Sequence, residues 1–240
     1  MSRIQTIDDV RSLGTILGIW AHPDDESYSM AGLMAAAVRH GQTVVCITAT
    51  RGEAGVQDEA RWPADRLADI RTQELQAAFA VLGVTHHHWL DYPDGGCAQV
   101  HEAEAVHRIA TIMRTYNPDS ILTFGSEGMT GHDDHKTVSR WAHMAREKLG
   151  GETALYHAIQ TQEQYEQMVE ADREFNVFFN IDKPPICKNG DCAIRFVLPD
   201  DIYAQKLKAL HAMPSQTEAM LKKYAHALRG SIGTEAFVVV

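Results

Sequence analysis

Two short polar stretches hold the residues of this chain best suited to chemistry. Trp20-Ala21-His22-Pro23-Asp24-Asp25-Glu26 gathers one histidine and three acids, and Gly131-His132-Asp133-Asp134-His135 adds two histidines and two acids. His22 and Asp25, three residues apart, together with His135 make a two-histidine, one-carboxylate set. Such a set leaves a coordination position on Zn²⁺ open for water, as catalytic rather than structural sites do. With a metal there, Asp24, Glu26, His132, Asp133 and Asp134 form a second row. Hydrolysis of an unactivated amide needs a base for the attacking water and an acid for the departing amine. Asp24 and His132 suit those tasks, with Asp134 or Asp133 orienting His132 and favouring its protonated form. Alone, either stretch is equally well a turn or a helix start whose acids complement the helix dipole. Both occurring together, each at the end of an expected strand, argues against that plainer account.

The elements that must position these residues follow from the hydrophobic pattern. Thr15–Ala21 is a short, partly β-branched apolar run, read as a buried strand that Pro23 stops. Its polar sequel then lies at a strand's carboxyl end, where open α/β sheets bind ligands. Ser27–His40 reads as a helix with Met30, Met34 and Ala37 inward, followed by a strand at Val44–Thr48 and a loop from Thr50 to Pro63. A second helix, Asp65–Leu82, carries Leu75, Ala78, Phe79 and Leu82 on one stripe with Arg71 a turn earlier. A buried guanidinium is costly unless paired, so Arg71 is expected to reach the polar end of the sheet. A strand near Val84–Trp89, the loop Asp91–Gly96, a helix His101–Tyr116 and the strand Ser120–Phe124 come next. A helix after His132 and a strand at Thr153–His157 complete an alternation that argues for a mostly parallel α/β sheet covered on both faces. From about residue 160 the rhythm changes. The expected elements are a polar helix Gln162–Arg173, short strands Phe175–Ile181 and Ala193–Val197 around the turn Lys188–Asp191, helices Asp200–His211 and Ser215–Leu228, and a strand Ala236–Val240. Residues 1–160 thus read as the catalytic core and residues 161–240 as a smaller α+β segment completing one domain and its pocket.

Bulk properties narrow the function. The 240 residues allow a full core, and the net charge of −10 argues against nucleic-acid and anionic-membrane partners. No apolar run suits a signal peptide or membrane span. The four cysteines, Cys46, Cys97, Cys187 and Cys192, show no framework pattern, so a reducing cytoplasm is the expected setting.

The motifs Ala21–Glu26 and Gly131–His135 resemble, in order, the two signatures of the LmbE/PIG-L family of zinc-dependent N-deacetylases, over roughly the first two thirds of the chain. The resemblance implies a Rossmann-like three-layer sandwich with His22, Asp25 and His135 as metal ligands, for Zn²⁺ or, in cells, Fe²⁺. It implies Asp24 as general base, His132 as the protonated group assisting oxyanion and amine, and Asp134 as the partner of His132. Arg51 and Glu53 in Arg51–Gly55, Arg71, and Asp94 in Tyr92–Gly95 resemble family positions near the substrate. For Arg71, a structural salt bridge to Glu74 or Asp94 stands as an equal alternative. The implied partner is a small N-acetylated amino sugar or glycoside, and family members often form trimers or hexamers. One departure is Met213, at the place two residues before Ser215-Gln216 where the family often carries a histidine.

Other features carry less. In His86-His87-His88 alternate residues face opposite sides of a strand, which favours packing over a metal cluster. Cys187 and Cys192 flank a hairpin turn without further ligands for a zinc knuckle. The rival functions are an amidase acting on a larger thiol conjugate or peptide-like amide, and a non-catalytic metal- or sugar-binding protein, which would have no use for Asp24 and His132. Gly14–Gly18 precedes its strand's end, unlike a dinucleotide-binding fingerprint.

Overall fold

The computed structural model describes residues 3–178, 180–188 and 190–240. After a 3₁₀ turn at Asp8–Leu13 the elements run β1 (Ile16–Trp20), α1 (Asp25–Arg39), β2 (Val44–Thr50), α2 (Ala64–Leu82), β3 (His86–Tyr92), α3 (Glu102–Tyr116), β4 (Ser120–Phe124), α4 (Asp133–Lys148), β5 (Ala154–Thr161), α5 (Gln162–Phe175), β6 (Ile186–Cys187), β7 (Ile194–Val197), α6 (Asp200–His211), α7 (Pro214–Lys223), α8 (Leu228–Ile232) and β8 (Thr234–Val239). One sheet holds the strands in the order β3-β2-β1-β4-β5-β8-β7, with β6 beside β5. The pairings from β3 to β5 are parallel, whereas β8 runs antiparallel to both β5 and β7. Every residue of β1, β2 and β4 is buried, as strands covered by helices on both faces require.

The chain winds outward from β1 through β2 and β3, then returns to lay β4 and β5 on the other side. The connections therefore diverge between β1 and β4, opening a crevice at the carboxyl ends of those two strands. Trp20 and Phe124, closing these strands, meet edge to face at 4.9 Å. His22 follows β1 directly, and His135 lies in the first turn of α4, beyond the loop after β4.

The structure departs from the sequence reading in several places. Helix α1 begins at Asp25 and leaves helical geometry at Met30, where φ is −143°. The expected strand Phe175–Ile181 is not seen among the described residues. Asn176 ends α5 in the left-handed region, and Phe175 and Val177 pack with Met168, Ala171 and Tyr224. These apolar residues fill a satellite cluster and leave no ladder to join. Phe179 of that segment, Asn189 of the expected turn, and Met1 and Ser2 lie outside the described residues. The expected last long helix is two, α7 and α8. Cys187 and Cys192 form a disulfide, while Cys46 and Cys97 are buried and free. His87 turns to Thr48, its Nε2 lying 3.0 Å from Oγ1, while His86 and His88 both pack on Tyr116. Among the described residues no helix is long and apolar enough to cross a membrane.

Candidate active site

The turn after β1 is held in an uncommon shape. Asp24 has φ of 110°, a region that side chains with a Cβ rarely adopt and that clusters at functional sites. Its neighbours clamp it. Glu26, wholly buried, accepts from Asp24 N at 3.3 Å and from Ser27 Oγ at 2.6 Å. Burial, reinforced by the charges of Asp24 and Asp25, pushes the Glu26 carboxyl up to about 8, against the Ser27 hydrogen bond. Glu26, which the sequence left without a role, is thus the brace of the turn. Arg71 reaches in from α2 and donates to Pro23 O at 2.5 Å, Gly52 O at 2.7 Å and Asp24 Oδ2 at 3.3 Å. Its ion pair is therefore with Asp24 rather than with Glu74 or Asp94. The glycines of Arg51–Gly55 make room for it. A Cβ on Gly52, whose φ is +69°, would stand 2.2 Å from Arg71 Nη1, and one on Gly55 2.9 Å away.

Three donor groups converge beside Asp24. His22 Nδ1 lies 3.1 Å from His135 Nε2 and 3.7 Å from Asp25 Oδ2, and His135 Nε2 lies 3.4 Å from Asp25 Oδ1. Two ligands about 2.1 Å from a zinc ion and roughly tetrahedral to each other stand about 3.4 Å apart, so the spacing suits one divalent cation. The remaining ring nitrogens are engaged in the way that frees these for a metal. His135 Nδ1 sits 2.9 Å from Gly128 O, and its ring stacks on Phe124 at 4.0 Å. His22 Nε2 faces Asp94 Oδ1 at 3.0 Å and Asp134 Oδ2 at 3.3 Å. A carboxylate or carbonyl on the far nitrogen fixes ring and tautomer for ligation. The donor atoms of His22, His132 and His135 also lie within 4.8 Å of one another.

Asp94 and Asp134 therefore meet at His22. Asp134 is wholly buried, and its carboxylate also accepts from Gly95 N at 2.7 Å and Cys97 N at 3.0 Å. It meets His132 through its own backbone N–H, which donates to His132 Nδ1 at 3.1 Å as a helix cap on α4. An Nδ1 that accepts leaves the neutral ring's proton on Nε2. Burial and the charge of His22 lower the His132 pKa, outweighing Asp134, Asp25 and Asp94. For His22 burial works downward, but hydrogen bonds to Asp134 and Asp94 and the charge of Asp25 prevail and raise it to about 10. Burial takes His135 down to about 4. Burial raises Asp24 to about 7 although Arg71 pulls the other way.

These groups border a polar cavity of about 440 Å³ lined by His22, Asp24, Asp25, Arg71, Asp94, His132 and His135. Asp134 stands behind it. Arg51 is turned away, contrary to its expected place at the substrate. It donates to Asp91 Oδ1 at 2.7 and 2.9 Å and to Thr72 Oγ1 at 2.8 Å, and lies 4.0 Å over Trp89. Glu53 also stays off the cavity wall, with Oε1 accepting from Asp94 N at 2.9 Å. Asp91 and Thr72 hold Arg51, and Asp94 N holds Glu53, off the cavity wall. Among the wall residues not singled out as binding positions are Tyr28, Gln57 and Gln216. Tyr28, three residues after Asp25 and so on the same helical face, was open to detection. Gln57 and Gln216 meet only because α7 returns beside the loop after β2, Gln216 Nε2 donating to Gly55 O at 2.9 Å.

Comparison with known proteins agrees with this architecture. Residues 17–145 match the family model PIG-L: GlcNAc-PI de-N-acetylase. A 1D-myo-inositol 2-acetamido-2-deoxy-alpha-D-glucopyranoside deacetylase 2 of Catenulispora acidiphila is 36% identical over 61% of this chain and 55% of its own length. The chain spans about half the length of this and similar curated relatives. The N,N'-diacetylchitobiose deacetylase of Pyrococcus horikoshii superposes with a TM-score of 0.66 at 21% identity, covering 96% of this chain and 85% of that one. A 4-carboxy-2-hydroxymuconate hydratase of Pseudomonas putida does so at 0.63 and 18%, covering 95% and 96%, so the shared architecture alone indicates fold and not reaction. Matched over more than half its length and carrying both metal-donor motifs within the crevice, the chain belongs to the PIG-L (GlcNAc-PI de-N-acetylase) family.

Proposed function

We propose that this protein is a metal-dependent hydrolase that removes the N-acyl group, acetyl in the relatives' names, from the amine of an amino sugar or related glycoside. The observation that carries the reading is the convergence of His22 Nδ1, His135 Nε2 and the Asp25 carboxylate within 3.1–3.7 Å beside a conformationally strained Asp24. Zn²⁺ suits two imidazoles and a carboxylate, and Fe²⁺ accepts the same donors. A divalent cation there supplies Lewis acidity toward an amide carbonyl and toward water.

The chain's own residues do the rest. Asp24, whose burial raises it to about 7, takes a proton from the attacking water as the water oxygen bonds to the amide carbon. When the C–N bond breaks, Asp24 returns that proton to the departing nitrogen. A carboxylate titrating near neutrality can both accept and release it. Arg71 holds Asp24 in line. His132, whose Nδ1 accepts from Asp134 N, turns its Nε2 proton to the developing oxyanion. Asp94 and Asp134 orient His22. The products are a free amine and a carboxylate.

The test is an assay of amine and carboxylate release across a panel of N-acetyl amino sugars and glycosides, with metal analysis of the same zinc-loaded preparation. Both products should form in equal amounts. Protein that binds metal but leaves intact both this panel and N-acyl analogues with longer acyl groups would overturn the reading.

A further inference from the structure

The polar cavity is not the whole of the space at the donor set. Beyond it lies a second chamber of about 160 Å³ walled by Phe124, Ala158, Met168, Phe178, Met220 and Ile232. Asp25, Tyr28, Thr130, His135, Val177 and Met220 line both spaces, so the two meet at the metal donors. Two of the larger polar residues on the chamber wall are committed elsewhere. Glu235 accepts from Gly32 N, Leu33 N and Lys206 Nζ. Gln164 Oε1 accepts from Thr161 N in the capping box of α5, and Gln164 Nε2 donates to Ser231 O and Thr234 O. The Tyr28 hydroxyl and Gln160 Oε1 on this wall are buried and without a partner among the described residues. An apolar pocket with a few unspent polar atoms is how small-molecule sites are built. An apolar cavity of about 150 Å³ takes up benzene, so an acetyl methyl leaves most of this one empty.

Reaction chemistry decides which half of an amide points there. Asp24 and His132 line the polar cavity and not the chamber. The departing amine must sit beside the group that returns its proton, which puts the sugar in the polar cavity. The substituent on the other side of the carbonyl carbon then enters the chamber. We propose that the chamber is an acyl subsite, and that this chain prefers amides of linear or aromatic acyl groups of roughly six carbons over acetamides. The inference rests on the amide-hydrolase reading and leaves its bond changes as they are: water oxygen joins the acyl carbon, the C–N bond breaks, and the nitrogen leaves with a proton.

The test uses zinc-loaded protein with N-acetyl-, N-hexanoyl- and N-benzoyl-glucosamine. Hexanoyl or benzoyl kcat/KM should exceed acetyl by about tenfold or more, the scale on which pockets count methylenes. Ala158→Leu, or Met168→Trp, both on the chamber wall, should bring the hexanoyl-to-acetyl and benzoyl-to-acetyl kcat/KM ratios down to about one. Acetyl turned over faster than both, or a variant that lowers all three alike, overturns the acyl subsite and leaves the hydrolase reading standing. If none is turned over, the hydrolase reading fails, and calorimetric titration of hexanoate and acetate judges the chamber alone. Tighter hexanoate in wild type, equalised in a variant whose circular dichroism is unchanged, supports it; equal affinities in wild type overturn it.

Discussion

Lys206 and Glu235, both with fully buried side chains, pair at 2.9 Å at the point where α1 breaks. At Met30 the helix loses its i→i+4 ladder, so Tyr28 O and the N–H groups of Gly32 and Leu33 need other partners. Lys206 Nζ donates to Tyr28 O at 2.7 Å, and Glu235 accepts from Gly32 N at 2.7 Å and Leu33 N at 2.8 Å. One ion pair thus mends both sides of the break and anchors the turn that carries Asp24, Asp25 and Tyr28. Removing one partner leaves the other charged and buried. Glu235→Ala should therefore cost roughly 3–5 kcal/mol. Urea unfolding of the metal-free protein measures this, and a loss under about 1 kcal/mol would show that the pair does not hold the break.

Asp24→Asn keeps a residue that tolerates positive φ and removes the base. Turnover should fall by about 10²–10⁴-fold while bound metal, measured on the same sample, stays constant. Retained activity sinks the assignment.

Arg71 and Arg51 separate cleanly. Arg51 lies outside the cavity, so Arg51→Ala should change KM less than about twofold and stability by about 1 kcal/mol or less. Arg71→Met removes the buried clamp on Asp24 and should lower kcat by tenfold or more on the same scale as a misplaced catalytic group. Equal effects of the two changes would contradict the geometry.

Metal uptake should expel protons. His22 stands at about 10 without metal, so at pH 7.5 its Nδ1 is protonated and must release that proton to ligate. Calorimetry of Zn²⁺ binding in two buffers of different ionisation enthalpy should report about one proton released per ion. A value of zero would remove His22 Nδ1 from the ligand set.

Away from the site, His87 and His157 give a pH dependence of known sign. Burial, first among the causes, lowers both to about 4, against about 6.5 in an unfolded chain. Between those values the unfolded state binds more protons, so stability is full above pH 6.5 and is lost as pH falls toward 4. Each should contribute about 1 kcal/mol, discounted for partial exposure of the rings. Thermal unfolding from pH 7 to 4.5 tests this, and His157→Phe should flatten the slope.

Much of the frame is legible in the linear pattern of the chain. Strand β4 and helix α6 fall where the hydrophobic pattern put them, and α2 and α3 begin within a residue of expectation, because apolar periodicity and Gly or Pro boundaries are local properties of the chain. The donor residues were legible for a related reason. His22, Asp25 and His135 sit in short motifs at strand ends, and an α/β sheet brings such ends together whatever its detailed packing.

What periodicity could not convey is which polar atoms pair across the fold. Asp134 serves His22 from 112 residues away, and Glu235 reaches Gly32 over 203. Such partners are chosen by burial, since an unsatisfied group inside a core must take whatever donor or acceptor the packing leaves beside it. Phe175 and Val177 went to a side cluster rather than a strand for the same reason. Residue types, their order and the sheet that gathers them follow from the linear chain. The packed fold sets that Arg51 faces away, that Asp94 and Asp134 share one histidine, and that an apolar chamber opens beside the metal donors. Those outcomes depend on competition among distant neighbours for space and hydrogen bonds.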